Sequence, residues 1–320
     1  MPDSTRSFMS ALPADVRITE VGPRDGLQNE KELVQTTDKI RFVELLAEAG
    51  FPEIEVTSFV NPRWVPQLAD AAEVLAAVPR RGGLIRSALV PNGKGLERAL
   101  LAGVDKIAVF TAASEAFSQR NTNATIEESL VRVREVVGGA KAAGLPVRGY
   151  VSCVVACPYA GPIEPAQVRT IVDRLLGIGV DEIDLGETIG VAAPADIERL
   201  YDGLQGVLAP EASTLHLHDT RGGGLACAFR AMQIGVRSFD ASCGGLGGCP
   251  FAPGAAGNLA TEDLLHLCHR SGIRTGIDRE KLLAAGRYMA AALGRRLPGR
   301  SFAADATGAS ASSATTCAGS

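Results

Sequence analysis

Two of the chain's four histidines stand two residues apart, in His216-Leu217-His218-Asp219. On an extended strand, positions i and i+2 point to the same face. Two imidazoles there meet one space at metal-ligand spacing. A hydrogen-bonded pair of core histidines has the same spacing, so both readings stand at this point. A second stretch, Val21-Gly22-Pro23-Arg24-Asp25-Gly26, sets a carboxylate beside a guanidinium in a turn fixed by glycine and proline. Asp25 offers the hard oxygen that completes a facial site with two histidines, leaving positions open for substrate. The alternative is a structural Arg24–Asp25 pair. A third stretch runs Cys243-Gly244-Gly245-Leu246-Gly247-Gly248-Cys249-Pro250. Free cysteines are usually buried and inert, but glycines and proline around Cys249 predict a mobile, exposed loop. A thiol with a reference pKa of about 8.5 can both give and take a proton near neutrality. A phosphate-binding glycine loop would end in Lys and Ser/Thr, and neither is present. Asn258, in Gly257-Asn258-Leu259, reads by itself as a turn or N-cap residue. His266 and His269, three apart with no suitable acid nearby, read as surface or core histidines.

These residues need elements to gather them. Apolar, β-branched runs at 16–21, 54–59, 84–90, 106–110, 147–155, 182–185, 214–218 and 238–241 read as eight strands. Helical periodicity separates them, at 37–49, 68–78, 96–101, 126–143, 165–178, 194–208 and 224–234. Two more helices are expected at 261–272 and 279–293. Arg24-Asp25, Ser58, Thr111, Cys153, Glu187, the histidine pair and Cys249 all fall at or just past strand C-termini. A barrel brings such positions to one mouth, whereas an open, doubly wound sheet spreads them along an edge. The sequence therefore predicts an α/β fold, a TIM (β/α)8 barrel of one domain at 16–300 with extra C-terminal helices. An N-terminal arm, 1–15, precedes it. The Ala/Ser/Thr/Gly-rich stretch 301–320 is expected to be a disordered tail.

The 320 residues are 46% hydrophobic and 21% charged, which suits a large core. The net charge of −4 gives no basic surplus for nucleic acid. No apolar run reaches the ~18 residues of a membrane span. The first residues lack the apolar core of a secretory signal. Seven cysteines at irregular spacing argue against a disulfide framework and for a reducing, cytoplasmic setting.

Taken together, these stretches resemble the hydroxymethylglutaryl-CoA lyase family. The resemblance rests on Glu20-Val21-Gly22-Pro23-Arg24-Asp25-Gly26-Leu27-Gln28-Asn29-Glu30, Ile54-Glu55-Val56-Thr57-Ser58-Phe59, and His216-Leu217-His218-Asp219-Thr220. It also rests on Gly245 through Asn258-Leu259-Ala260-Thr261-Glu262-Asp263, whose Gly-Leu-Gly-Gly-Cys-Pro-Phe-Ala run is highly specific. The resemblance implies a Mg²⁺ or Mn²⁺ held by Asp25, His216, His218 and Asn258. It implies that Arg24 stabilises an enolate, that Cys249 is the acid/base of a closing loop, and that Glu55 is an acid at the mouth of strand two. Gln28, Ser58, Asn121 and Thr188 match positions that contact substrate. The implied reaction cleaves a 3-hydroxy-3-methylglutaryl thioester of CoA, as in leucine catabolism and ketone-body formation, in a homodimer. A related enzyme of the same superfamily, cleaving another 3-hydroxyacyl-CoA or condensing one, is the alternative. Two positions depart from the family pattern. Glu187 stands where the family mostly has Asp, and Asp184 replaces a small hydroxyl residue. Three positions apart on a strand, they face opposite sides, so at most one points into the barrel. An added acid near the mouth predicts a changed 3-substituent. Some family members carry a C-terminal cysteine that forms an intersubunit disulfide and responds to oxidants; Cys317 lies in the expected tail, which does not align well with theirs.

Overall fold

The structure, a computed structural model, describes residues 12–248 and 257–311, with side chains as far as Asp305. All eight expected strands form: β1 Arg17–Glu20, β2 Glu53–Ser58, β3 Ile85–Leu89, β4 Lys106–Ala112, β5 Val147–Ser152, β6 Glu182–Glu187, β7 Ser213–Leu217 and β8 Ser238–Ala241. They pair in parallel in that order and β8 pairs with β1, so the sheet closes. Closure excludes the open doubly wound sheet.

Around the barrel lie α1 Thr36–Glu48, α2 Ala71–Ala77, α3 Gly93–Leu101, α4 Glu115–Thr122, α5 Ile126–Ala142, α6 Pro165–Ile178, α7 Pro194–Leu204 and α8 Gly224–Ile234. After β8 come α9 Thr261–Arg270, α10 Arg279–Ala292 and α11 Arg300–Ala311. The helices start where the sequence supplies caps. Thr125 and Glu128 form a reciprocal capping box on α5, and Pro165 and Pro194 open α6 and α7.

Strand alternation divides the barrel into two chemistries. Outward residues such as Ile18, Leu215 and Phe239 are fully buried against the helices and join the main apolar core. Inward residues are largely charged. Arg148 Nη2 donates to Glu53 at 3.2 Å and its Nη1 to Asp240 at 3.1 Å. Lys106 is ion-paired with Glu53 and Glu182. Ionised groups so deeply buried are stable only when paired, and removing one partner of such a pair costs roughly 3–5 kcal/mol. This network fills the barrel below the mouth and fixes what stands above it.

α11 occupies the first part of the stretch expected to be a disordered tail. Asp263 accepts from Arg300 N at 3.1 Å and Ser301 N at 2.5 Å, and Phe302 is buried. These contacts cap the helix and seat it, which the composition of 301–320 does not reveal. Residues 312–320, with Cys317, lie outside the described residues, as do residues 1–11 of the expected arm. The described end of that arm is tied to the barrel: Arg274 N donates to Ala14 O at 3.0 Å.

Candidate active site

The site is assembled from the C-terminal ends of the strands. After β1 the chain turns through Gly22–Gly26, and Gly22 is required there: a Cβ on it would stand 2.6 Å from Glu20 Oε1. This turn presents Arg24 and Asp25. β7 sends Thr214 and His216 inward and carries His218 just past its end. The ligand atoms of Asp25, His216 and His218 all lie within 4.8 Å of one another. Both histidines are oriented from behind. His218 Nδ1 lies 2.9 Å from Glu187 O, a group that only accepts, so Nδ1 carries the proton and Nε2 keeps its lone pair. His216 Nδ1 lies 3.2 Å from Asp240 Oδ2, which sets the same tautomer. A carboxylate or carbonyl behind a histidine is the usual arrangement for a metal-binding imidazole. The reading of the pair as mere core histidines does not account for Asp25 in front of both.

The fourth expected ligand is here as well. Asn258 is buried; its Nδ2 donates to Asp25 Oδ2 at 2.9 Å and to Leu246 O at 3.1 Å. Its Oδ1 is buried with no hydrogen-bond partner. An orphaned carbonyl oxygen beside a carboxylate and two imidazole lone pairs fits a divalent cation. Asn258 caps no helix, because the residue before α9 is Ala260. The electrostatics agree. Burial raises the pKa of Asp25, but the charges of Arg24, His216 and His218 outweigh it and hold the group well below the usual carboxylate range. Burial lowers the His216 pKa, yet Asp240, Asp25 and Asp184 push it up to about 9. Burial and the neighbouring His216 push His218 down to about 4. The carboxylates of Asp240 and Asp25 beside His216 call for positive charge at this point, which a bound cation supplies in place of a proton.

Arg24 is gripped on two sides. Its Nε donates to Glu55 Oε2 at 2.5 Å, and Nη1 donates to Asp25. Its guanidinium carbon lies 5.7 Å from the centroid of the Tyr150 ring. Nη2 has no hydrogen-bond partner among the described residues, leaving two N–H donors for an oxyanion. A cavity of about 880 Å³ opens over these groups, lined by Arg24, Asp25, Gln28, Asn121, Tyr150, Thr188, His216 and His218.

The other expected residues divide. Gln28, Asn121 and Thr188 line the cavity. Ser58 does not: it is fully buried, and its hydroxyl donates to Leu89 O at 3.3 Å. A register shift between Glu55 and Thr57 alters the strand's alternation just before it. Glu55 is also sealed below the cavity, so it acts on Arg24 rather than on substrate. Cys249 lies outside the described residues. Of the two departing acids, Asp184 points into the barrel but is fully buried beneath the site, 3.6 Å from Arg148. Glu187 accepts from Gly190 N at 2.8 Å and Val191 N at 3.1 Å. Neither lines the cavity, so the expectation of a changed 3-substituent loses its basis. His266 and His269 are exposed on α9, away from the site.

Sequence reading missed Asp240, Tyr150 and Arg148. Tyr150 OH donates to Asp240 Oδ2 at 3.1 Å, and Arg148 holds Oδ1. These residues belong to no short motif. Asp240 stands beside His216 only through the β7–β8 register.

A family model described as HMGL-like matches residues 15–289. The Bos taurus protein named hydroxymethylglutaryl-CoA lyase, mitochondrial, is 48% identical over 290 residues, which are 91% of this chain and 89% of that protein. The solved hydroxymethylglutaryl-CoA lyase of Pseudomonas aeruginosa superposes with a TM-score of 0.91 at 46% identity, covering 93% of this chain and 99% of that one. An HMG-CoA lyase structure in complex with coenzyme A and 3-methylmalate, from Acenitobacter baumannii, superposes with a TM-score of 0.85 at 37% identity. It covers 92% of this chain and 95% of its own. With that family model matched over most of its length and nearly half of its residues shared with these lyases, this chain belongs to the HMGL-like family.

Proposed function

We propose that this carbon–carbon lyase cleaves 3-hydroxy-3-methylglutaryl-CoA to acetyl-CoA and acetoacetate by a retro-aldol, Claisen-type cleavage. One observation carries the reading: Asp25, His216 and His218 converge within 4.8 Å on the floor of a cavity that also exposes Arg24. Asp25, His216, His218 and Asn258 are the residues to hold a Mg²⁺ or Mn²⁺. When bound, such a cation supplies Lewis acidity that lowers the pKa of the substrate's tertiary hydroxyl.

The chain's own groups do the rest. The hydroxyl proton leaves towards the Asp25 carboxylate, since both nitrogens of His216 are committed, Nδ1 to Asp240 and Nε2 to the metal position. The C2–C3 bond breaks, C3 becomes the ketone carbon of acetoacetate, and the electron pair moves to C2 as the thioester enolate. Arg24 Nη2 stabilises the enolate oxygen. A single neutral donor of this kind is worth roughly 10²–10³-fold in rate, and a fixed guanidinium adds its charge. Glu55 and Asp25 keep that guanidinium in place before substrate arrives, so little reorganisation is left for the reaction itself. Cys249 delivers a proton to C2, a role worth roughly 10²–10⁴-fold. Closure of its glycine-rich loop would exclude water from the enolate. At the rim, Lys31 and Arg132 suit the phosphates of CoA, and the exposed Trp64 and Leu33 suit its apolar arm.

Among the described residues no helix is long and apolar enough to cross a membrane. We assign a reducing, cytoplasmic setting on the irregular spacing of the seven cysteines. A homodimer is the assembly we propose, on the family resemblance alone; sedimentation at working concentration tests it.

The reaction is tested by following acetyl-CoA release from 3-hydroxy-3-methylglutaryl-CoA with Mg²⁺, with EDTA, and in Cys249→Ser. Turnover that EDTA abolishes and the variant nearly loses is the expected result. Metal-replete wild type that releases no acetyl-CoA would overturn the substrate assignment.

A further inference from the structure

Two cysteines outside the proposed chemistry form a built pair. Cys153 follows β5 and is one of two non-glycine residues with positive φ among the described residues, at φ 62°. A left-handed conformation strains a residue with a Cβ, so the surrounding structure imposes it. Its N–H donates to Thr188 Oγ1 at 2.8 Å, which holds the bend. The bend turns the chain so that the Cys153 and Cys157 thiols, four residues apart, are near enough to influence each other's ionisation. Cys157 ends the first strand of a short antiparallel pair, Ala156–Cys157 with Gly161–Pro162. Three donors converge on its sulfur: Ser114 Oγ at 3.0 Å, and Tyr159 N and Ala160 N at 3.4 Å each.

Hydrogen bonds aimed at one sulfur favour its thiolate. Burial alone would raise the Cys157 pKa, but these donors outweigh it and the value is lowered from that of an ordinary thiol. Burial pushes Cys153 up to about 12, so it stays a neutral thiol. The pair thus couples a nucleophilic sulfur to a protonated neighbour. Both side chains are buried, yet Tyr159 and Ala160, over Cys157, are exposed, which gives a small oxidant a short approach.

We propose that Cys157 and Cys153 form a peroxide-reactive dithiol, in which Cys157 is oxidised first and Cys153 resolves it as an intrachain disulfide. The Cys157 thiolate attacks one oxygen of a hydroperoxide. The S–O bond forms as the O–O bond breaks, giving a sulfenic acid and, after a proton is taken up, the alcohol or water. Cys153 sulfur then displaces the hydroxyl of the sulfenic acid. Its own proton leaves with that hydroxyl as water, and the two electrons lost by the thiols have gone to the peroxide. The disulfide would form directly behind Ser152 and beside Thr188, both of which line the cavity.

Purified full-length chain is treated with hydrogen peroxide, its remaining thiols are alkylated, and the non-reduced peptides are mapped by mass spectrometry. A linked Cys153–Cys157 peptide is expected before Cys268 reacts, since Cys268 is a buried thiol raised to about 12 by desolvation. Cys153→Ser should stop at a sulfenic acid on Cys157 that a 1,3-dione traps. Ser114→Ala, which keeps both thiols, should slow Cys157 oxidation several-fold. Oxidation of Cys157 no faster than that of Cys268, or pairing of Cys157 with any cysteine other than Cys153, would overturn the proposal.

Discussion

Asp240 makes the sharpest perturbation because three donors share its carboxylate. Oδ1 accepts from Arg148 at 3.1 Å; Oδ2 accepts from Tyr150 OH at 3.1 Å and faces His216 Nδ1 at 3.2 Å. Asp240→Asn keeps the size and loses one acceptor. If the amide oxygen faces Tyr150 and His216, the amide nitrogen confronts Arg148, donor against donor. If the amide flips, His216 Nδ1 meets a donor, its proton must move to Nε2, and the lone pair facing Asp25 and His218 is lost. Either way the metal site suffers, by tautomer or by displacement. Loss of a group orienting a metal-binding histidine typically costs roughly 10–100-fold in metal affinity. Arg148 keeps Glu53 and Glu182, so the loss of one charged hydrogen bond should lower folding stability by about 1.5–3 kcal/mol. The assay is Mn²⁺ titration followed by electron paramagnetic resonance, beside urea unfolding of the metal-free chain. Tyr150→Phe is the control: the carboxylate still holds His216, so Mn²⁺ affinity should scarcely change. An Asp240→Asn chain that binds Mn²⁺ as tightly as wild type would refute the argument.

Three further outcomes are expected. Gly247 has φ 109°, and a Cβ there would lie 2.7 Å from Asn258 Nδ2; Gly247→Ala should therefore weaken Mn²⁺ binding at least about tenfold, comparable to removing a supporting group, and an unchanged titration would count against Asn258 as a ligand. Ser58→Ala loses only a bond to Leu89 O, so stability should fall by about 1 kcal/mol with kcat/KM unchanged; a large rise in KM would restore Ser58 to the substrate site. Burial, more than any neighbour, raises the Glu262 pKa from 4.5 to about 7. Between those values the native chain holds a proton that the unfolded chain has released, so this group's contribution to stability falls as pH rises, by about 1.4 kcal/mol per pH unit, and levels off above about 7. Urea unfolding of wild type and Glu262→Gln from pH 5 to 7 should show wild type losing stability relative to the variant; a gain would contradict the sign.

The fold was legible because its period-2 strands and 3.6-period helices alternate eight times. Even so, α4, which carries Asn121, escaped: Glu115–Thr122 is short and mostly polar, and its start is marked mainly by the Ser114 cap. Half of the site lay in two compact motifs, Arg24-Asp25 and His216-x-His218, because one turn and one strand each place both members. The supporting half was invisible. Asp240 and Arg148 are 92 positions apart and meet across the barrel interior, where pairing depends on register and closure rather than on local pattern. Asn258 illustrates the limit in reverse. Its local context suggests a turn residue, and only its approach to Asp25, 233 positions away, reveals the unpartnered oxygen. Ser58 shows how a motif can place a residue correctly on its strand and still not tell which way its hydroxyl points.

The measurement that tests the central claim most directly is a back-titration. Chelator-stripped chain receives Mn²⁺ in steps, with bound metal and acetyl-CoA release from 3-hydroxy-3-methylglutaryl-CoA followed in the same samples. The account predicts that both rise together and saturate at one Mn²⁺ per chain, and that His218→Ala shows neither at the same metal concentration. Full release from the stripped chain, or metal binding that His218→Ala leaves intact, would contradict it.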